Sequence, residues 1–315
     1  MEHYATLFDS TFLPQGLALY SSLERTAGDF VLWVLCVDDK AKRILDTLNK
    51  PNIRTISLPE IETDELRVVK TNRTRGEYCW TLTPFVPKLV FERAAIAQRV
   101  TYVDADMFFL TPATTIFEEF EKSGKAVLIT EHAYYAEYDL TETSGRFCVQ
   151  FITFQRDTSE PVRRWWQDRC IEWCHARLED GKFGDQKYLD DWPWRFQGLV
   201  HVNSQIDAFL APWNARRFPY SRAVAWHFHG LRLLKNRRVL LHGHFNVPEV
   251  AHRVVYSMYL IEITQSLNTI GEDIIQGKIG NSLIRYGAEV AWNFLNSVRR
   301  MFRAQRTVWR LPPSR

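Results

Sequence analysis

The stretch Arg99-Val100-Thr101-Tyr102-Val103-Asp104-Ala105-Asp106-Met107-Phe108-Phe109-Leu110 decides how the chain is read. Its β-branched and aromatic run over 100–103 predicts a buried strand, and the run ends in two carboxylates separated by one small residue. Open α/β sheets bind ligands at the carboxyl ends of their strands. Side chains alternate along an extended backbone, so Asp104 and Asp106 are expected to point the same way, with the slim Ala105 leaving room for a ligand between them. Such a pair suits a divalent cation bridging to a diphosphate. An Asp-x-Asp tripeptide alone is a weak signal, because it also occurs in turns. The apolar flanks strengthen it: two neighbouring anions at a dry strand end repel and lose hydration, so something positive must compensate.

Working outward, residues 4–8 read as a first buried strand, followed by a helix through about residue 23 with Pro14 near its first turn. Residues 30–37 predict a second strand, 39–48 a helix and 53–58 a third strand. This β-α-β-α-β order implies a parallel sheet. No Gly-x-Gly-x-x-Gly follows the first strand and no Gly-Lys-Ser/Thr loop occurs, so dinucleotide and P-loop chemistry lose their main support. Residues 67–80 are basic and poorly periodic. They predict a loop, either near the active edge of the sheet or merely solvated. A helix opened by Pro84 and Pro87 leads to about residue 97 and into the central strand.

Beyond that strand, residues 112–120 predict a short helix, and 126–130 and 146–154 predict strands. Over 161–178, Val162, Trp165, Trp166, Cys170, Trp173, Cys174 and Leu178 have helical spacing, which reads as core packing rather than a sugar platform. Gly181-Lys182-Phe183-Gly184 breaks that pattern and delivers Asp185-Gln186, the start of a new short helix. Residues 211–214 (Ala-Pro-Trp-Asn) form a turn. A strand over 223–228 ends in His227-Phe228-His229-Gly230, histidines that are either satisfied core residues or ligands.

A chain of 315 residues, 46% hydrophobic and 24% charged, can bury one large core or two modest ones. The net charge of +3 is too small for nucleic acid as a main partner. Residues 246–315 hold nine Lys/Arg against five Asp/Glu, which leaves residues 1–245 at −1. The five cysteines lack paired metal-knuckle spacing and read as reduced core thiols. The first residues enter a strand without a leader pattern, and no run reaches the ~18 apolar residues of a membrane span, so the expected place is the cytoplasm or a membrane's cytoplasmic side. The division is a domain over 1–245 and a helical, basic extension over 246–315. Within the extension an apolar helix spans 250–267, a break 271–280 and an amphipathic helix 282–303, the last either resting on an anionic membrane or packed on the core.

Taken together, four stretches resemble the GT-A nucleotide-sugar glycosyltransferases, most closely those similar to glycosyltransferase family 8: residues 7–12 after strand one, Tyr102-Val103-Asp104-Ala105-Asp106, Asp185-Gln186 and His227-Phe228-His229-Gly230. The resemblance spans about residues 3–235 and implies a mixed, mainly parallel α/β sheet flanked by helices. It implies Mn²⁺ or Mg²⁺ held by Asp104, Asp106 and His227, with His229 as neighbour. Donor contacts fall on Phe8, Asp9, Thr83, Lys88, Asp104 and Ala105, Asp9 facing the nucleotide base; Asp185 and Gln186 fall on the reacting face of the donor sugar. Trp213, Asn214 and His229 are the expected acceptor contacts. The family's Arg before the central strand is not evident in Cys79-Trp80-Thr81-Leu82-Thr83-Pro84, where Lys88 is the substitute, and its Asn-x-Gly segment is replaced by Ser144-Gly145-Arg146. The implied activity is transfer of a sugar from a nucleotide-diphosphate donor, UDP foremost, to a saccharide or lipid-linked acceptor of the bacterial envelope. A nucleotidyltransferase and a non-catalytic nucleotide-sugar-binding protein are the alternatives. The residue chemistry agrees: a cation held by oxygen ligands stabilises charge on a departing diphosphate, and a mixed carboxylate and imidazole set favours Mn²⁺.

Overall fold

The computed structural model describes residues 1–235, 237–271 and 308–311. Its strands are β1 (Glu2–Phe8), β2 (Phe30–Cys36), β3 (Ile53–Ser57), β4 (Arg99–Val103), β5 (Met107–Phe109), β6 (Val127–Glu131), β7 (Phe147–Gln155), β8 (Val200–Val202), β9 (Phe209–Leu210), β10 (Ala225–His227), β11 (Arg232–Leu234), β12 (Arg238–Leu240) and β13 (Val308–Arg310). The helices are α1 (Leu13–Thr26), α2 (Asp39–Leu48), α3 (Asp64–Lys70), α4 (Arg75–Leu82), α5 (Val86–Arg93), α6 (Thr114–Ser123), α7 (Thr141–Ser144), α8 (Glu160–Glu172), α9 (Trp192–Arg195), α10 (Glu249–Ala251) and α11 (Ser257–Ile270).

Seven strands form the main sheet in the order β3-β2-β1-β4-β7-β6-β8. β7 is antiparallel to both of its neighbours and the remaining pairs are parallel, so the sheet is mixed and mainly parallel. β1 is almost wholly buried because helices cover both faces. Leu17, Tyr20, Leu45 and Phe120 of α1, α2 and α6 pack one side, while Leu66, Leu82, Val90 and Trp166 of α3, α4, α5 and α8 pack the other. A second sheet, β5-β10-β9, grows from the turn after β4. β1 and β4 align Ala5 with Tyr102, so continuing that register brings Asp9 and the acids after Val103 to one edge of the sheet.

Two expectations need correction. Residues 67–80 belong largely to α3 and α4, joined by a short turn, rather than to a loop. The Thr63 hydroxyl caps α3 and a Thr74–Glu77 capping box starts α4; helices of 7 and 8 residues are too short to show a periodic face. The helix expected over 161–178 stops at Glu172, because Trp173 is extended (φ −154°, ψ 123°). Trp173 and Cys174 stay buried beyond it, which is why the apolar spacing continued. All five cysteines are free thiols.

The helix read over 250–267 is present as α10, a π-helical turn (His252–Tyr256) and α11. α11 packs on the core: Tyr259 stacks on Phe228 at 3.6 Å between ring centroids, and Glu262 pairs with Arg25 of α1 at 2.7 Å. The amphipathic helix expected over 282–303 lies outside the described residues, as do residues 272–280 of the expected break.

Candidate active site

β4 ends at Val103, and Asp104 opens a tight turn closed by a Met107 N–H to Asp104 carbonyl hydrogen bond of 3.0 Å. The two acids therefore converge through this turn and not along a continuous extended strand, as their alternation had suggested. The Asp104 N–H donates to the Gln150 carbonyl of β7 at 3.2 Å, and the Asp106 carbonyl accepts from Phe228 N–H at 2.9 Å. Pairing of β10 with β5 puts His227 opposite Met107. Its Nε2 lies 3.1 Å from Asp106 Oδ1 and 3.7 Å from Asp104 Oδ2. One ligand atom from each of Asp104, Asp106 and His227 lies within 4.8 Å of the other two.

His227 is buried, and its Nδ1 meets the Gln150 Oε1 at 2.9 Å. That contact engages Nδ1 and leaves Nε2 facing the acids, the arrangement by which an outer residue orients a metal-binding imidazole. Burial works against charge on all three residues. On Asp104 burial prevails and raises the carboxyl. On Asp106 the positive His227 outweighs burial and lowers the carboxyl, and on His227 the carboxylates, Asp106 foremost, hold the imidazole well above its ordinary value. Two half-buried acids and a buried imidazole with ligand atoms this close fit a divalent cation with oxygen and nitrogen ligands.

Asp185 is buried beside this group, and burial followed by the charge of Asp104 pushes its carboxyl up to about 8. The loop that delivers it is braced: Trp166 Nε1 donates to the Asp185 carbonyl at 2.8 Å, and Glu77 of α4 accepts from Ala176 N–H at 2.7 Å. Gly184, at φ +54°, lets the Trp80 ring approach the backbone, 3.4 Å from where a Cβ would stand. Thr83 is buried, and its hydroxyl donates to the Cys79 carbonyl at 3.3 Å. Gln186 donates through Nε2 to the Ser144 carbonyl at 2.9 Å.

At the β1 end, Asp9 Oδ1 accepts from Thr11 N–H at 2.7 Å while Oδ2 pairs with Arg75 Nε at 2.5 Å. Arg75 also reaches Asp38 at 2.6 Å. The Phe8 ring packs against α1 at Gly16, where a Cβ would come within 2.4 Å of it, and Ala105 is buried in the same core. Trp213 is buried, donates to the His132 carbonyl at 2.9 Å and sets its ring edgewise, 5.2 Å from the centroids of His227 and His229 alike. Asn214 is fully buried with its amide bonded to the carbonyls of His132 and Phe209, each at 3.0 Å. Half-buried His229 has its ring lowered to about 3 by burial and by the positive His227. Lys88 is not brought to this group: it pairs with Glu92 at 3.6 Å and acts on Glu160, beyond the end of β7 that pairs with the start of β4.

Gln150, Tyr102 and Asp38 were missed by sequence reasoning, and Arg75 was covered only by the expectation that Arg and Lys of 67–80 close over the donor's phosphates. Gln150 carried a signal, a lone amide inside the aromatic run 147–154, and Asp38 repeats after β2 the acid that follows β1.

No protein-family model matches the chain. It is 29% identical over 288 residues to the uncharacterized protein YfnD of Bacillus subtilis strain 168, covering 85% of this chain and 90% of the relative. Among solved structures it is similar to the glycosyltransferase GlyE of Streptococcus pneumoniae TIGR4, with TM-score 0.52, 15% identity, 85% of this chain and 62% of that one covered. It is likewise similar to the bifunctional glycosyltransferase WbbM, with TM-score 0.52 and 13% identity over 83% of this chain, which spans about half (49%) of that protein. The sheet order, the antiparallel return of β7 and these likenesses give the chain the fold of the GT-A glycosyltransferases.

Proposed function

We propose that this chain is a divalent-cation-dependent glycosyltransferase of the family 8 type. It moves a sugar from a nucleotide-diphosphate donor, UDP foremost, onto a saccharide or lipid-linked acceptor of the cell envelope. The observation that carries the reading is the convergence of Asp104, Asp106 and His227 from two sheets, with a ligand atom of each within 4.8 Å of the others. Mn²⁺ is the preferred ion because the donor set mixes carboxylate with imidazole. When bound, such an ion supplies Lewis-acid stabilisation of the negative charge that develops on the departing diphosphate.

The chain's own residues do the rest. Asp9, with Arg75 beside it, faces the nucleotide base. Asp185 and Gln186 face the sugar, and the nearness of Asp185 to the cation group favours retention of anomeric configuration over a distant-base inversion. Thr83 lines the donor side, and Trp213 with His229 closes the acceptor side. The side chains of Phe8, Ala105 and Asn214 act through packing and backbone support. Attachment to an anionic membrane rests on the basic sequence of 282–315 and is checked by vesicle flotation. Among the described residues no helix is long and apolar enough to cross a membrane.

The test is calorimetry with UDP and Mn²⁺, followed by UDP release across a panel of UDP-sugars. Asp104→Asn should keep the fold and lose cation-dependent UDP binding, with turnover falling by about 10²-fold or more. Unchanged activity in that variant would overturn the reading, and tight binding without transfer for every sugar would favour a binding protein.

A further inference from the structure

Tyr102 is the penultimate residue of β4, and its ring is buried in the layer formed with Val86, Val90 and Ile152. Its phenol donates a hydrogen bond to Asp104 Oδ1 at 3.1 Å. The other oxygen of that carboxylate, Oδ2, is the one turned toward His227 Nε2.

We propose that Tyr102 is a positioning residue that fixes Asp104 to single-oxygen ligation of the cation. The inference rests on the functional reading above. A carboxylate with one oxygen engaged by a phenol offers a cation a single oxygen. Released, it rotates and grips with both, and two-oxygen grips suit Ca²⁺, which takes long bonds and irregular shells, over ions that demand a compact octahedron. Tyr102 therefore acts on ion choice as well as rate, which a purely packing role does not do.

The experiment compares wild type, Tyr102→Phe and Thr83→Val for melting temperature, Mn²⁺ and Ca²⁺ affinity in the presence of UDP, and steady-state turnover. Tyr102→Phe keeps the ring and should melt with wild type. Its kcat should fall about 10- to 100-fold with the donor KM within about threefold, and its Ca²⁺ to Mn²⁺ affinity ratio should rise about tenfold. Thr83→Val leaves the phenol–Asp104 bond in place and should keep that ratio at the wild-type value; should Tyr102→Phe fold poorly, Tyr102→Met also removes the phenol, and a wild-type ratio there would overturn the proposal equally. Wild-type kcat and ion selectivity in Tyr102→Phe, with an active parent, would overturn the role of Tyr102 alone. A parent that binds no Mn²⁺ with UDP would overturn the functional reading and this inference together.

Discussion

Gln150 reaches across from β7 to hold His227: its side-chain oxygen meets the imidazole Nδ1 at 2.9 Å, with both side chains buried. The amide fixes which nitrogen faces Asp104 and Asp106. Replacing it by Leu frees the ring to turn and leaves a buried N–H without an acceptor. We expect Gln150→Leu to weaken Mn²⁺ binding about 10- to 100-fold, read by ion titration, with UDP affinity falling only when the ion is present. Equal ion affinity in the variant would show that the ring is held by other contacts.

Arg75 bridges Asp9 and Asp38 at 2.5 and 2.6 Å. Removing the guanidinium leaves two acids facing each other at the ends of β1 and β2. Arg75→Leu should weaken UDP binding about tenfold, the worth of one charge-assisted hydrogen bond, and change kcat less than KM. Calorimetry with UDP and kinetics with the donor check it.

α11 is part of the core and not an appendage. Tyr259 is fully buried against Phe228, and its hydroxyl has no hydrogen-bond partner among the described residues. Tyr259→Ala should cost about 3–5 kcal/mol by denaturant unfolding, whereas Tyr259→Phe should cost nothing, since it deletes only an unpaired polar atom.

Glu119 supplies a pH signature in folding. Burial alone would raise its carboxyl, but hydrogen bonds from Ser204, with His201 and Gln205 beside it, outweigh burial and hold it at about 2 against an ordinary 4.5. A lowered carboxyl stabilises the fold fully above its ordinary value, and that share is lost as pH falls from about 4.5 through about 2. Glu119→Gln should therefore melt lower than wild type at pH 7, and thermal melts on descending pH should bring the two curves together.

Much of this was legible in the sequence, because strand ends and their acids are local features. The run 100–103 announced a buried strand, Asp104 and Asp106 were identifiable from residue type and position at a strand end, and His227 was singled out over His229 by the family resemblance. The structure corrected the means by which the two acids meet, since a turn after Val103 replaces the expected extended backbone. What stayed hidden depends on long-range pairing. Gln150 touches His227 only because β7 returns antiparallel beside β4, 46 residues after Asp104. Arg75 was anticipated only as one of several basic residues in 67–80, because two helices too short to show a face gave no sign of which one reaches Asp9 and Asp38. The overlong helix at 161–178 shows the complementary error: spacing reports burial, and Trp173 remains buried after the backbone has left the helix.

β10 is three residues long and faces two ways. His227 looks into the recess, while Trp226 on that strand, with Phe228 just beyond it, packs against Tyr256 and Tyr259. A ribosome that has released residue 228 has therefore not yet released the segment that backs the strand, so the recess is completed late in synthesis. On the proposed reading, capture of an ion and seating of α11 would draw on one equilibrium, each tightening the other, so a fault in α11 would be felt as poor metal loading.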